Sequence, residues 1–169
     1  MLSHLKVNKL KQKQSAGFSL VEAVIAIAII SLILGGIVMT IQTMMVFEGQ
    51  TLKKRQASLL ADQGLEVMRA LRDNGWTANM ASLTTNHNYY LLFNSNTNTW
   101  QATTTIQTNT PFYRTISLAP VYRDANSRIA SAGTLDANTK LITVTVAWPY
   151  RSATSTVVSS GYLTNLFAN

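Results

Sequence analysis

The pattern of hydrophobic and polar positions divides the chain into an apolar stretch, an amphipathic stretch and a polar remainder. Residues 23–40 are Ala, Ile, Leu, Val, Met and Gly except for Ser31 and Thr40, and the apolar character continues to Phe47. A helix that crosses a bilayer core needs about 20 such residues. The first stretch therefore predicts a membrane-spanning helix.

The amphipathic stretch, residues 50–73, predicts that this helix continues with one apolar side. It contains helix formers and no proline. Its apolar residues recur at the three-to-four-residue spacing of one helix face, and they are Leu52, Leu59, Leu60, Val67 and Leu71. Asn74 and Gly75 follow, and glycine readily takes the left-handed conformation that ends a helix. We expect the helix to end at Asp73.

Beyond Gly75 the pattern changes to the alternation that is typical of β-strands. The clearest case is residues 140–148, where apolar residues alternate with Thr or Ala, at Ile142, Val144, Val146 and Trp148. Further candidate strands cover residues 89–93, 100–107, 112–118 and 152–158, with turn residues between them. This arrangement predicts an α+β fold, in which a small antiparallel sheet packs on the C-terminal half of the long helix. Residues 75–88 predict a loop or a short helix.

Charge separates the N-terminus from the rest of the chain. The net charge is +7, but four lysines lie among the first 17 residues, which contain no acid. Without those four, 10 basic residues face 7 acidic residues, so the charge is weak evidence for binding nucleic acid, an alternative that stays open. A basic segment before an apolar helix is expected to remain in the cytoplasm. The absence of cysteine excludes disulfides and thiolate metal sites.

The N-terminal region differs from an ordinary secretory signal. Its apolar run is longer than the usual core of about 7–15 residues, and a charged helix follows where a cleavage site would stand. Glu22 lies at the start of the run, where a carboxylate becomes costly if it moves toward the bilayer centre. Either it lies among headgroups without a partner, or it pairs with a positive group of a neighbouring subunit. The α-amino group of a chain beginning at Phe18 would serve.

A short motif lies where the basic leader meets the apolar run. Residues 16–23 read AGFSLVEA, and in this setting they resemble the class III signal of type IV prepilins and pseudopilins. The resemblance implies that a prepilin peptidase cuts between Gly17 and Phe18 and N-methylates Phe18. It also implies that Glu22 engages the amino terminus of an adjacent subunit during assembly. We therefore expect a minor pilin or pseudopilin, a structural subunit of a type IV pilus-like or type II secretion filament.

The resemblance also implies an organisation and a set of partners. We expect a cleaved leader at residues 1–17, a transmembrane and assembly helix at 18–47, its amphipathic continuation at 48–74 and a globular sheet domain at 75–169. The expected partners are prepilin peptidase, membrane lipid before assembly, an inner-membrane assembly platform, and other pilin subunits through the N-terminal helix. The location implied is the cytoplasmic membrane, with the N-terminus inside, and then a periplasmic or extracellular filament. Adhesion, twitching, secretion and DNA uptake all use this architecture.

Candidate chemistry in the sheet domain is sparse, and we predict no enzyme, catalytic residue, metal site or cofactor. His87 could join Asp124 or Asp136, but no nucleophile motif accompanies it. The segment from Asp124 to Ser127 resembles a turn more than a calcium loop, which needs several convergent acids.

Other features have two interpretations each. For the aromatic residues Tyr89, Tyr90 and Trp100, sheet core or subunit contacts are favoured over a sugar, surface or nucleic-acid site. For Gly35, Gly36 and Gly64, close packing is favoured over a bend. For the basic residues 53–55, a solvated or headgroup-facing cluster is favoured over a phosphate-binding role.

One competing class of protein has the same anchor. A single-pass protein with an extracytoplasmic binding domain, adhesin-like or related to DNA uptake, would need the apolar helix but would not polymerise. The order Gly17-Phe18 followed by Glu22 separates the two, because a plain anchor has no use for an acid four residues after the glycine–phenylalanine pair.

Overall fold

The computed structural model describes residues 17, 19–106 and 111–166, and the chain divides into two compact units, Met1–Phe47 and Glu48–Asn169. One helix, α1, covers Leu20–Asp73, and a five-residue π-helix, Thr77–Ala81, follows it. The strands are β1 Asn88–Asn94, β2 Thr99–Thr103, β3 Tyr113–Arg123, β4 Ile129–Ala130, β5 Thr134–Tyr150 and β6 Ala153–Thr164. The predicted α+β fold is confirmed.

All strand pairs are antiparallel, and the main path of the sheet runs in the order β2-β1-β3-β5-β6, with β4 beside β3. The five predicted strands are all present, but their bounds differ. The strand predicted at 100–107 ends at Thr103, and those predicted at 112–118 and 152–158 extend to Arg123 and Thr164. The short β4 was not predicted, because two residues are too few to show an alternation.

The end of α1 is confirmed at Asp73. Gly75 has a φ of +134°, a value that residues other than glycine rarely adopt. Its N–H donates to the carbonyl of Arg72 at 3.1 Å. The chain then turns into the π-helix, which lies within the segment for which a loop or a short helix was predicted. This turn brings Trp76 and Met80 into the core.

The sheet contributes one apolar face to the core, as the alternation predicted. Ile142, Val144, Val146 and Trp148 are all buried, and their neighbours in sequence are only half-buried or exposed. The adjacent strand β3 presents Ile116 and Leu118 on the same side, where they are likewise buried. The central strands therefore form the apolar sheet face on which residues 48–73 of the helix pack.

The helix face that packs on these strands agrees in part with the one the apolar spacing predicted. Val67 and Leu71 are buried as predicted, and Leu60 packs against the core. Leu52 and Leu59 are 53% and 70% exposed. The buried positions of α1 also include three small residues, and the full set is Ala57, Ala61, Gly64, Leu65, Val67, Met68 and Leu71. At Gly64 the helix lies too close to the sheet for a larger side chain.

Gly64 marks the closest approach. A Cβ atom built at Gly64 would lie 2.8 Å from Cγ1 of Val144 and 3.4 Å from Cδ of Arg114. No real Cβ contact is that short without a shift of the neighbouring atoms. The packing interpretation is therefore confirmed for Gly64, and its partner is strand β5.

Two cationic side chains point inward from the sheet. Arg114 on β3 donates from Nη1 to the carbonyl of Leu60 at 3.2 Å and to Oε1 of Gln63 at 3.0 Å. Its guanidinium also lies 5.9 Å from the ring centroid of Trp100, within cation–π range. Desolvation by burial lowers the pKa of Arg114. Arg114 thus attaches the helix to the sheet.

Lys140 on β5 has the corresponding role for the π-helix. Its ammonium group donates to the carbonyls of Met80 at 2.6 Å and Leu83 at 2.7 Å. These carbonyls lie at the C-terminal end of the π-helix and just beyond it, and the Met80 carbonyl also accepts the N–H of Leu83 at 3.2 Å. Desolvation lowers the pKa of Lys140. The lysine that opens the predicted strand is therefore an internal contact between the sheet and the π-helix.

The end of the sheet beyond this point contains an irregularity. Pro120 pairs with Lys140, but the next residue, Val121, pairs with Asp136, so β5 carries extra residues between them. Nε of Arg123 donates to Oδ2 of Asp136 at 2.6 Å, and Nη1 of Arg123 donates to the carbonyl of Ser127 at 2.8 Å. The arginine thereby joins β3, the turn after it and the start of β5.

Replacing Asp136 with asparagine is expected to reduce stability most at neutral pH. The hydrogen bond from Arg123 is the main reason that the pKa of Asp136 is lowered, so the folded protein binds this proton less tightly than the unfolded chain. The stabilisation is complete above the unfolded pKa, about 3.9, and is lost as the pH falls through the lower folded pKa. We expect a loss below about 1 kcal/mol, because the pair is partly exposed.

Urea unfolding of parent and variant between pH 7 and pH 2 measures this effect. The difference between their midpoints should shrink toward zero in acid. A difference that is as large at pH 2 as at pH 7 would contradict a role for the Asp136 charge.

Candidate functional site

The most unusual surface is the apolar part of α1 that lies in the unit Met1–Phe47. Its large apolar side chains are between 46% exposed, at Val46, and 82% exposed, at Leu20. This helix has the length and composition to cross a membrane. Soluble monomers rarely leave contiguous apolar patches larger than a few hundred Å² uncovered. Lipid, other protein or both in turn must therefore cover this segment, and the N-terminal helix is compatible with membrane anchoring.

The hydroxyl groups of the apolar segment are bonded within their own helix. Ser31 donates to the carbonyl of Ile27 at 2.8 Å, Thr40 to Gly36 at 2.9 Å, and Thr43 to Met39 at 2.9 Å. Each bond reaches back four residues, the usual pattern for Ser and Thr in a helix. Because a polar group in lipid needs an internal partner, these residues add little to the cost of inserting the segment.

The predicted cleavage site lies just ahead of the helix. Gly17 and Ser19 are exposed and outside regular secondary structure, and α1 begins at Leu20. Phe18 and residues 1–16 lie outside the described residues. The first hydrogen bond of the helix joins the N–H of Ala23 to the carbonyl of Ser19 at 3.1 Å. Gly17 therefore lies outside the helix, and a peptidase would not have to unwind a helical turn to reach this residue.

Glu22 is exposed and lies in the first turn of α1. A carboxylate there is favoured by the positive end of the helix dipole. Ser19 immediately precedes the helix and Glu22 is its third residue, which is the Ser-x-x-Glu spacing of a capping box. Capping by Glu22 was not predicted above, although the spacing alone signals it. Glu22 therefore has two candidate tasks, capping its own helix and pairing with a neighbour.

Gly35 and Gly36 lie in the middle of the apolar segment. A Cβ atom at either position would meet no other atom within 4 Å, and α1 continues through both without interruption. Their small size leaves room for a close neighbour. Packing by another helix at this point stays a prediction.

The residues with candidate chemistry in the sheet domain have structural contacts. The Asp124 carboxylate accepts the backbone N–H groups of Asn126 and Arg128, both at 2.8 Å, so the predicted turn is confirmed. The ring of exposed His87 lies 6.4 Å from that of Tyr89. Among the described residues, no three His, Cys, Asp or Glu side chains are placed to hold a metal ion.

Two of the three aromatic residues considered as a possible binding surface belong to the core of the sheet domain. Tyr89 is buried and its hydroxyl accepts the N–H of Thr84 at 2.9 Å, while Trp100 packs against the core from its edge. Tyr90 is half-buried on the opposite face. Tyr89 is therefore not available as a stacking platform for a base or a sugar.

Comparison with known proteins identifies only the N-terminal segment. Residues 12–38 match a family model described as the prokaryotic N-terminal methylation motif. The match spans the end of the predicted leader, Gly17, Phe18, Glu22 and the apolar helix as far as Val38. No curated protein and no solved structure matches the chain.

Proposed function

Since the chain carries the N-terminal methylation motif that is typical of type IV pilins and pseudopilins, we propose that it is a minor pilin or pseudopilin of a type IV pilus-like or type II secretion filament. The observation that carries the proposal is the match over residues 12–38, directly on an exposed apolar helix. The family is structural rather than enzymatic. Motifs of this type imply processing by prepilin peptidase and assembly with pilin subunits.

In the proposed first step, the chain inserts into the cytoplasmic membrane with its lysine-rich leader inside. Prepilin peptidase then removes residues 1–17 and methylates the new amino terminus at Phe18. The exposure of Gly17 ahead of the helix supports this step, because the peptidase needs an accessible bond. Residues 18–47 anchor the subunit, and the domain of residues 75–169 lies outside the membrane on residues 48–74.

In the proposed second step, an assembly platform in the membrane transfers the subunit into a filament that is periplasmic or extracellular. The apolar segment leaves lipid and packs against the corresponding segments of other subunits. Because one apolar neighbour replaces another, the segment is never exposed to water along most of its length. Glu22 pairs with the amino terminus of an adjacent subunit, and this pairing selects the register, since an unpaired charge in an apolar core is costly.

The alternative function, a single-pass anchor for a binding domain, shares the membrane segment but not the processing. The intact mass of the protein purified from membranes of cells that contain prepilin peptidase separates the two. We expect a chain that starts at Phe18 with one added methyl group. Retention of residues 1–17 would contradict the pilin proposal.

A matched pair of variants makes this measurement specific. Gly17→Leu adds a branched side chain at the proposed cleavage site and should leave the leader attached. Gly35→Leu makes the same change where nothing lies within 4 Å of the added Cβ, and this protein should be processed like the parent. Equal processing of both variants would show that Gly17 is not at the cleaved bond.

A further inference from the structure

The last strand of the sheet, β6, has an open edge. It covers 12 residues, Ala153–Thr164, and among the described residues it pairs only with β5. In a strand, alternate residues direct their N–H and C=O groups to the same side. About six residues of β6 therefore present unpaired backbone donors and acceptors away from β5.

This edge lacks the features that usually prevent strands from pairing. Proteins protect an edge with charged residues, with proline, or with a bulge. The sequence of β6 is ATSTVVSSGYLT, with no charge and no proline. Its register with β5 is continuous from Thr139↔Thr164 to Tyr150↔Ala153, so the strand carries no bulge. The chemistry of such an edge fits one kind of ligand, another extended strand.

The direction of the helix restricts which strand this can be. Two copies that pair β6 with β6 in antiparallel fashion are related by a two-fold axis perpendicular to the sheet. That axis reverses every direction lying in the sheet plane, including that of the helix residues packed on it. Two subunits whose helix residues 48–73 run in the same direction cannot be arranged in this way. A copy with the same orientation must instead offer the other edge of its sheet.

That other edge is β2. Its five residues, Thr99–Thr103, read TWQAT and are also uncharged, and β2 pairs only with β1 in the described part of the chain. Four antiparallel steps separate β2 from β6, so the two strands run in the same direction. A neighbour related by translation would therefore place its β2 parallel to β6. The two edges then join without any change of helix direction.

We propose that β6 of one subunit pairs with β2 of a second copy, so that the sheets of neighbouring subunits continue into one another. This inference rests on the proposed function, because it requires copies held in the same orientation. A five-residue parallel pair is weak by itself, as parallel pairing is slightly less stable per residue than antiparallel pairing. A shared membrane or filament raises the effective concentration of the two edges.

Cysteine cross-linking in the full chain tests the pairing, because the parent contains no cysteine. Ser160→Cys on β6 is combined in turn with Thr99→Cys, Gln101→Cys or Thr103→Cys on β2, which share the outer face of the sheet. Membranes of cells producing each variant are treated with a short bismaleimide. We expect a ladder of dimers and larger multimers from at least one double variant, and monomers from every single variant.

Three results would overturn the pairing. The first is the absence of a ladder from every double variant. The second is dimers from Ser160→Cys alone, which would indicate contact between two β6 strands, and the third is cross-linking of Ser160→Cys only to a different chain. Intact mass is measured on the same samples. Processed protein without a ladder contradicts the edge pairing and leaves the proposed function standing. Unprocessed protein contradicts the proposed function itself.

A charge placed on the edge provides the control for position. Val158 is 58% exposed on β6 and pairs with Thr145 of β5 on the same face. In a double-cysteine background that forms a ladder, Val158→Lys should lower its yield about tenfold, since a charged side chain on an edge strand opposes pairing with a further strand. Thr145→Lys puts the same charge one strand inward and should leave the yield unchanged. An equal loss in both would assign the contact to the sheet face and overturn the edge pairing.

Discussion

Replacing Glu22 with alanine is expected to leave membrane insertion and leader removal intact and to lower incorporation into filaments about tenfold, the factor that corresponds to roughly 1.4 kcal/mol of lost pairing. The proposed partner, the amino terminus of a neighbouring subunit, would lose its counter-charge inside an apolar core. The measurement is the ratio of filament-associated to membrane-associated protein, with intact mass confirming that the variant is processed.

Two further variants separate pairing from helix capping. Glu22→Gln keeps the side chain that a capping box accepts, since Gln serves as well as Glu at that position, but it removes the charge. If Glu22 pairs with an amino terminus, glutamine should fail as alanine does. Filament incorporation restored by glutamine would assign Glu22 to the capping of its own helix. Glu48→Ala removes the next acid along the same helix and should have no effect.

Replacing Gly64 with valine is expected to destabilise the sheet domain by about 3 kcal/mol or more, the upper part of the range for overpacking a core. The first added atom already lies 2.8 Å from Val144, and Val144 is buried in the centre of the sheet. Either the helix must move away from the sheet, or Val144 must leave its position. Arg114 crosses the same point, so its bonds to Leu60 and Gln63 should weaken too.

Gly49→Val is the matched control for this substitution. Gly49 belongs to the same helix, and a Cβ atom there would meet nothing within 4 Å. Since the two variants make the same change in helix propensity, their difference isolates the contact with the sheet. Thermal unfolding of the purified full chain in detergent should give a melting temperature well below that of the parent for Gly64→Val and close to it for Gly49→Val. Equal melting temperatures would contradict the close approach.

The sequence predicts the elements of the fold because each follows a simple period. The alternation from Ile142 to Trp148 identifies the central strand and its buried side, and the glycine at 75 marks the end of the helix. The spacing found Val67 and Leu71 on the buried face of the helix but not the small residues of that face, because only large apolar residues were counted. The structure buries Ala57, Ala61 and Gly64 on this face. Residues of that size are not counted when a hydrophobic stripe is identified from large apolar side chains.

Polar residues inside the fold are the second group that periodicity does not find. Arg114 and Lys140 occupy inward positions of their strands, and each is held there by backbone carbonyls of a distant segment. A partner more than 50 residues away leaves no local signal. In the N-terminal motif, by contrast, the signal is local, because the Ser19–Glu22 spacing lies within one helical turn.

The hydroxyl bonds within the apolar helix have a consequence for how reversible its packing can be. Ser31, Thr40 and Thr43 donate their hydroxyl hydrogen atoms to carbonyls of the preceding turn. None of these donors therefore has to change its hydrogen-bond partner when the lipid around the helix is replaced by another helix. At these positions the surface of the helix presents mainly hydrocarbon, both to lipid tails and to another helix. The two environments then differ in free energy chiefly through van der Waals fit, and a small difference of this kind favours exchange in either direction.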